Sequence, residues 1–204
     1  MDSCSRFYTI SDTNNQTVCY PFFIKPKLSI DYNPNYHDLC VQEADMPFGN
    51  KRRFLKVIIR NTGWQVAENC EASLTLENTT NIARPPSTEP KRLIWDNNQE
   101  HRTIGARNGD AVLYIVFSDN SFTNPQFDNG KNLPDDRKTY AMIATIGSFA
   151  NVNPSYIPFV QDGIGIGNTN FKLVVKVTNR AYAEQRFKIH VNSNWHELSM
   201  ERIS

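Results

Sequence analysis

Phe54–Glu77, FLKVIIRNTGWQVAENCEASLTLE, is the stretch that decides the fold. Leu55, Val57 and Ile59 fall on one parity, with Lys56 and Arg60 on the other. Beyond Asn61-Thr62-Gly63, the residues Ala72, Leu74 and Leu76 alternate with Ser73, Thr75 and Glu77. A period of two is what a half-buried antiparallel strand requires, because successive side chains point to opposite faces of a sheet. Two such runs around a glycine turn predict an all-β chain.

The same pattern returns near the C-terminus. Phe171, Leu173 and Val175 share one parity, as do Phe187, Ile189 and Val191 in the following run. Upstream, Phe22 to Tyr32 reads as a first strand, and its Pro26 puts it at a sheet edge or a strand start, since proline cannot donate to a ladder. Residues 33–53 read as loop. Arg92 to Trp95 reads as a short strand. His101 to Ala106 and Ala111 to Ser118 flank Asn108-Gly109, a dipeptide that favours tight hairpin turns, so they are expected to pair with each other. Val112 to Phe117, VLYIVF, is apolar on both parities and predicts a central strand covered on each side. Thr139 to Ile146 resumes strand character, and Trp195 to Ile203 adds a terminal strand. Two long polar or irregular insertions, residues 119–137 and 151–170, interrupt the pattern. Residues 1–20 read as a flexible leader, and 21–204 as one sandwich domain.

Composition narrows the function classes. With 39% hydrophobic and 21% charged residues among 204, the chain can bury a sizeable core. Its 22 basic and 21 acidic residues leave a net charge of +1, which gives no strong signal for nucleic acid. No apolar run approaches the roughly 20 residues of a membrane helix. The N-terminal segment lacks the apolar centre of a signal peptide. The cytoplasm is therefore the default compartment, and an extracytoplasmic one is expected if the chain belongs to a longer protein. The four cysteines, Cys4, Cys19, Cys40 and Cys70, form no CxxC pair. Cys4 and Cys19 could close a polar segment, whereas Cys70, at the start of a strand, reads as a buried thiol.

The segments LKVIIRNTGWQVAENCEASLTL and FKLVVKVTNRAYAEQRFKIHV, together with the order strand, Asn-x-Gly, Ala, strand, resemble immunoglobulin-like domains of bacterial and archaeal proteins. The adhesion-related, CARDB-like type is the most similar. The resemblance covers about half the chain. It implies an antiparallel immunoglobulin-like β-sandwich of seven or eight strands, here with two long loop insertions. It also implies a binding or spacer role, and brings no catalytic residues.

Motifs for chemistry are sparse. Gly163-Ile164-Gly165-Ile166-Gly167 has the glycine spacing of a phosphate loop, but a dinucleotide fingerprint needs a helix after it, and a strand pattern follows here. Tyr36-His37-Asp38-Leu39-Cys40 places imidazole, carboxylate and thiol together, yet catalytic groups of this kind normally meet through the fold rather than by adjacency. His101, His190 and His196 lack metal-ligand spacing. Asp119, Asp128, Asp135 and Asp136 give the first insertion the oxygen ligands that calcium prefers, although Lys131 and Arg137 dilute its charge. That insertion is kept as a candidate loop site.

Lys172, Lys176, Arg186, Lys188 and His190 share the outward parity of the last two long strands. They form a candidate interaction surface for an acidic protein or a polysaccharide; the competing reading is that they keep an exposed sheet soluble. Trp64, Trp95 and Trp195 could stack on sugars or pack in the core. The expectation is a non-enzymatic recognition or assembly module with a protein partner and no cofactor or metal, part of a larger surface or membrane-associated protein. A carbohydrate-binding module is the alternative, and an enzyme with an unrecognised site comes third.

Overall fold

The computed structural model describes residues 8–11, 17–20, 25–45, 49, 51–79, 89–120, 140–145, 163–177 and 181–204. In chain order the elements begin with β1 (Tyr8–Ser11), β2 (Thr17–Tyr20), β3 (Leu28–Asp31), the one-turn helix α1 (His37–Cys40), β4 (Val41–Asp45), β5 (Lys51–Asn61) and β6 (Ala67–Thr79). There follow β7 (Lys91–Arg92), β8 (His101–Ile104), β9 (Gly109–Asp119), β10 (Ala141–Ile143), β11 (Gly163–Ile164), β12 (Gly167–Val177), β13 (Ala181–Val191) and β14 (Ser199–Ile203).

Two antiparallel sheets face each other. The first runs β11-β10-β9-β5, and the free edge of β5 is shared by β3 and β4 end to end. The second runs β14-β13-β12-β6, with β7 and β8 sharing the far edge of β6. Leu55, Val57 and Ile59 from the first sheet pack against Leu74, Leu173, Val175, Phe187 and Ile189 from the second in one core. All eight carry the inward parity read from the sequence. Phe171 and Phe187, opposite each other across β12 and β13, stack with ring centroids 5.5 Å apart. Trp95 is also fully buried, and its indole N–H has no hydrogen-bond partner.

The first sheet is covered on its outer face as well. Phe54, Phe117, Met142 and Ala144 form a second buried cluster there. It is bounded by the Arg52–Asp119 ion pair, in which Arg52 Nε and one terminal nitrogen lie 3.1 and 3.0 Å from Asp119 Oδ2. β9 is the central strand that VLYIVF predicted, covered on both faces from Ile115 to Asp119 and half-buried on its outer face at Val112 and Tyr114.

Side chains also close the seam between β3 and β14. Arg53 donates to the Leu198 carbonyl at 3.0 Å, and Arg202 donates to the Ile30 carbonyl. The Tyr32 phenol takes a backbone hydrogen bond from Met200, and its ring meets Phe187 edge-on at 6.0 Å. An edge strand bridged in this way offers less free backbone for pairing with another chain.

Three expectations need correction. β8 and β9 are not a hairpin: β8 pairs with β6 in the second sheet, and β9 pairs with β5 in the first. The turn at Asn108 therefore carries the chain from one sheet to the other; Arg107 and Asn108 have φ of 55° and 72°. Residues 33–53, read as loop, hold α1, β4 and the start of β5. The end of the insertion read as irregular, residues 151–170, supplies β11 and the first four residues of β12, a strand that begins four residues before Phe171. Outside the two sheets, β1 and β2 pair as an antiparallel ladder of their own.

Candidate functional site

The end of the sandwich near Asn61 is built on one buried amide. Asn61 closes β5 and is fully buried. Its Oδ1 accepts from the Lys27 amide at 3.0 Å and from the Gly63 amide at 3.1 Å. Its Nδ2 donates to the carbonyls of Gln65 at 2.7 Å and Gly105 at 3.1 Å, with a longer approach of 3.5 Å to Ile104. A buried amide that meets donors with its oxygen and acceptors with its nitrogen can tie several chain segments at once.

Backbone contacts complete the node. Thr62 N donates to Lys27 O at 2.9 Å, Arg107 N to Gly63 O at 2.8 Å, and Asn108 N to Asn61 O at 2.9 Å. A Cβ at Gly63 would sit 2.5 Å from both Lys25 O and Lys27 N, so glycine is required by close backbone approach. Gly109 is equally confined, since its Cβ would meet Gly105 O at 2.3 Å. The Asn-x-Gly motif, read from the sequence as a turn, is thus the junction of the loops before β3, after β5 and before β9.

This junction displays an aromatic side chain. Trp64 is 67% exposed, and the Arg107 guanidinium lies over its ring at 4.1 Å. Val66 beside it is also exposed. An indole left in water is the informative kind of apolar exposure, and here both halves of the Trp–Arg pair sit on loops fixed by Asn61. Of the other tryptophans, Trp95 is core and Trp195 is half-buried, edge-on to His196 at 5.2 Å.

No family model, curated protein or solved structure matches this chain.

The candidate cationic face exists as an array but is interleaved with acids. Lys172, Lys176, Arg186, Lys188 and His190 lie on β12 and β13, where Lys172 is opposite Arg186. Glu77 binds Arg186 at 3.0 Å and Glu184 lies 3.8 Å from Lys172. Glu201 on β14 reaches Lys188 at 3.5 Å and His190 Nε2 at 3.1 Å, while Asn168 meets His190 Nδ1 at 2.7 Å. Lys176 stands opposite Glu71 on β6. These contacts hold the Arg186 pKa above its usual value, through the hydrogen bond and charge of Glu77, and the Glu201 pKa below its own, chiefly through His190. The face is a charge mosaic in which carboxylates from β6, β13 and β14 stand among the cations.

Of the candidate loop carboxylates, Asp119 is the buried end of β9, paired with Arg52. Asp128, Asp135 and Asp136 lie outside the described residues. Among the described residues, no three His, Cys, Asp or Glu side chains cluster as metal ligands. Cys40 and Cys70 are both fully buried free thiols. Cys70 donates to the Ala67 carbonyl at 3.3 Å, and burial pushes its pKa up to about 11, the direction opposite to that of an activated nucleophile. No helix among the described residues is long and apolar enough to cross a membrane.

Proposed function

We propose that this chain is an immunoglobulin-like recognition or assembly module of the adhesion-related type, engaging a protein partner through the Trp64–Arg107 end of the sandwich. The topology supports the first part. In an immunoglobulin-type sandwich the second and fifth strands are neighbours in one sheet, and the third, sixth and seventh adjoin in the other. Counting the broken edges β3/β4 and β7/β8 as one strand each, and leaving out the β1–β2 ladder and the short β10 and β11 that extend the first sheet beyond β9, β5 adjoins β9 in one sheet, and β6, β12 and β13 adjoin in the other. The long insertions fall outside that frame, between β9 and β12.

The observation that carries the binding role is the exposed Trp64, stacked with Arg107 on an end locked by Asn61. Tryptophan and arginine are the residues most often found as interface anchors, and rigid presentation lowers the ordering cost of association. The proposed role is binding without catalysis. The experiment is capture on a proteome array from the source cell, using the full chain and its Trp64→Ala variant. Loss of an anchor of at least 2 kcal/mol weakens the captured partner by about 30-fold or more. The exposed indole should contribute little to the fold, so the melting temperature stays unchanged. Equal capture by both proteins would overturn the proposal.

The same open indole face favours one second reading, a carbohydrate-binding module. A glycan array probed in parallel separates the two: a Trp64-dependent signal on glycans alone selects the sugar reading.

A further inference from the structure

A cavity of about 250 Å³ lies beside the seam between β3 and β14. Ile58 on the outer face of β5, only 3% exposed, lines it together with Tyr32 and the half-exposed Tyr36. Two guanidinium groups reach it from different sheets, Arg60 from β5 and Arg202 from β14, and one carboxylate, Asp31, stands between β3 and the cavity. We propose that this cavity binds a small monocarboxylate with an apolar tail.

The charge count favours such a ligand. Two guanidinium groups and one carboxylate leave the site formally one positive charge in excess. A monocarboxylate neutralises that excess, whereas a phosphate dianion would leave net negative charge beside Asp31. The existing ion pair is also incomplete. Arg60 Nε lies 2.8 Å from Asp31 Oδ2 in a pair whose side chains are 41% and 46% exposed, and the covered Nε–H itself makes no hydrogen bond. A planar carboxylate is the natural partner for a guanidinium fork, which offers two parallel N–H groups.

The phenols suit the same ligand. Tyr32 is held protonated, its pKa pushed up to about 12 chiefly by burial, and its oxygen already engages the Met200 backbone. Its hydroxyl proton can therefore be donated to an acceptor. Ile58 and the tyrosine rings provide the apolar wall against which an aliphatic or aromatic tail would pack. Because Arg60 and Arg202 come from different sheets, one bound carboxylate would also tie the seam together.

Isothermal titration of the full chain with benzoate, benzamide and inorganic phosphate at constant ionic strength tests the assignment. Benzoate is expected to bind saturably at one site, with little or no binding of neutral benzamide or of phosphate. Arg202→Gln and Arg60→Gln should each weaken benzoate at least about tenfold, while Arg202→Lys, which keeps the charge and loses the fork, should fall between. In the wild-type protein, benzoate should shift the backbone amide resonances of Asn33 and Tyr36, a readout independent of whether any variant folds. No saturable benzoate binding up to about 10 mM, equal binding of benzamide, preference for phosphate, or shifts confined to other residues would each overturn the proposal. The site shares no residue with the Trp64 platform, so either assignment can fail without the other.

Discussion

Replacing Asn61 by alanine removes the tie on which the sandwich end depends. Four backbone groups lie within 3.1 Å of its side chain: the Lys27 and Gly63 amides and the Gln65 and Gly105 carbonyls. A buried group left without its partner costs about 1–3 kcal/mol, and groups near the surface recover part of that from water. The bond to Gly63 is buried and the other three are half-buried, so the expected loss is about 3–5 kcal/mol rather than the full sum. For a chain of this size that lowers the melting temperature by roughly 10 °C. Urea unfolding followed by tryptophan fluorescence and circular dichroism measures it.

Asn61→Asp sharpens the test. Its carboxylate keeps the acceptor for Lys27 and Gly63 but turns a second oxygen towards two carbonyls. The folded state then raises the carboxyl pKa, so the variant binds a proton more readily when folded and regains stability as pH falls through that raised value. A loss below about 1 kcal/mol for Asn61→Ala, together with a pH-independent Asn61→Asp, would refute the reasoning.

The core and the charged face carry further consequences. Phe187→Ala should cost about 3–5 kcal/mol, because the ring is fully buried between Phe171 and Tyr32; a loss below about 1 kcal/mol would mean the β13 register is inverted. In the native protein Cys70 should resist alkylation at pH 8 in site-resolved mass spectrometry and react only on unfolding. Labelling at the native rate of a free thiol would contradict its burial. Three acids have raised folded pKa values: Cys70 from 9.0 to about 11, Tyr32 from 10.0 to about 12, and Tyr114, which burial pushes up from 10.0. The folded state keeps these protons longer, so the stability they carry is complete below pH 9 and should fall as pH rises from 9 to 12. A Lys176→Glu, Lys188→Glu double variant should keep its melting temperature nearly unchanged and, like the wild type, pass an anionic resin unretained at physiological salt. Salt-sensitive retention of the wild type alone would mark the face as a working interface.

Strand parity was legible because it is local. Leu55, Val57, Ile59, Phe187 and Ile189 declare their face by spacing of two, and each is in the core. Pairing was not legible where a local signal pointed the wrong way. Asn108-Gly109 carries the residues of a hairpin turn, but β8 finds its partner at Ala67–Glu71 and β9 finds its own at Arg52–Asn61. A turn dipeptide reports backbone conformation and not which sheet each strand joins. β4 escaped notice because Val41 is its only buried residue, too little for a visible alternation.

The sites show the same divide. The Asn-x-Gly motif marked a turn, but the partners of Asn61 stand 34 and 44 positions away, at Lys27 and Gly105. The cations on β12 and β13 were visible by parity, whereas the acids that offset them come from β6 and β14 as well as β13. Trp64 carried no signal that separated it from the buried Trp95. Only the packing of three loops decides which indole meets water.

The most direct test of the binding account is an amide and indole NMR titration of the full chain with the partner captured through it. The account predicts that the Trp64 indole N–H shifts first, with the amides of Asn61 to Val66 and Gly105 to Asn108, while those of Lys172, Lys176 and Lys188 stay in place. Shifts centred on β12 and β13 that leave Trp64 unmoved would contradict it.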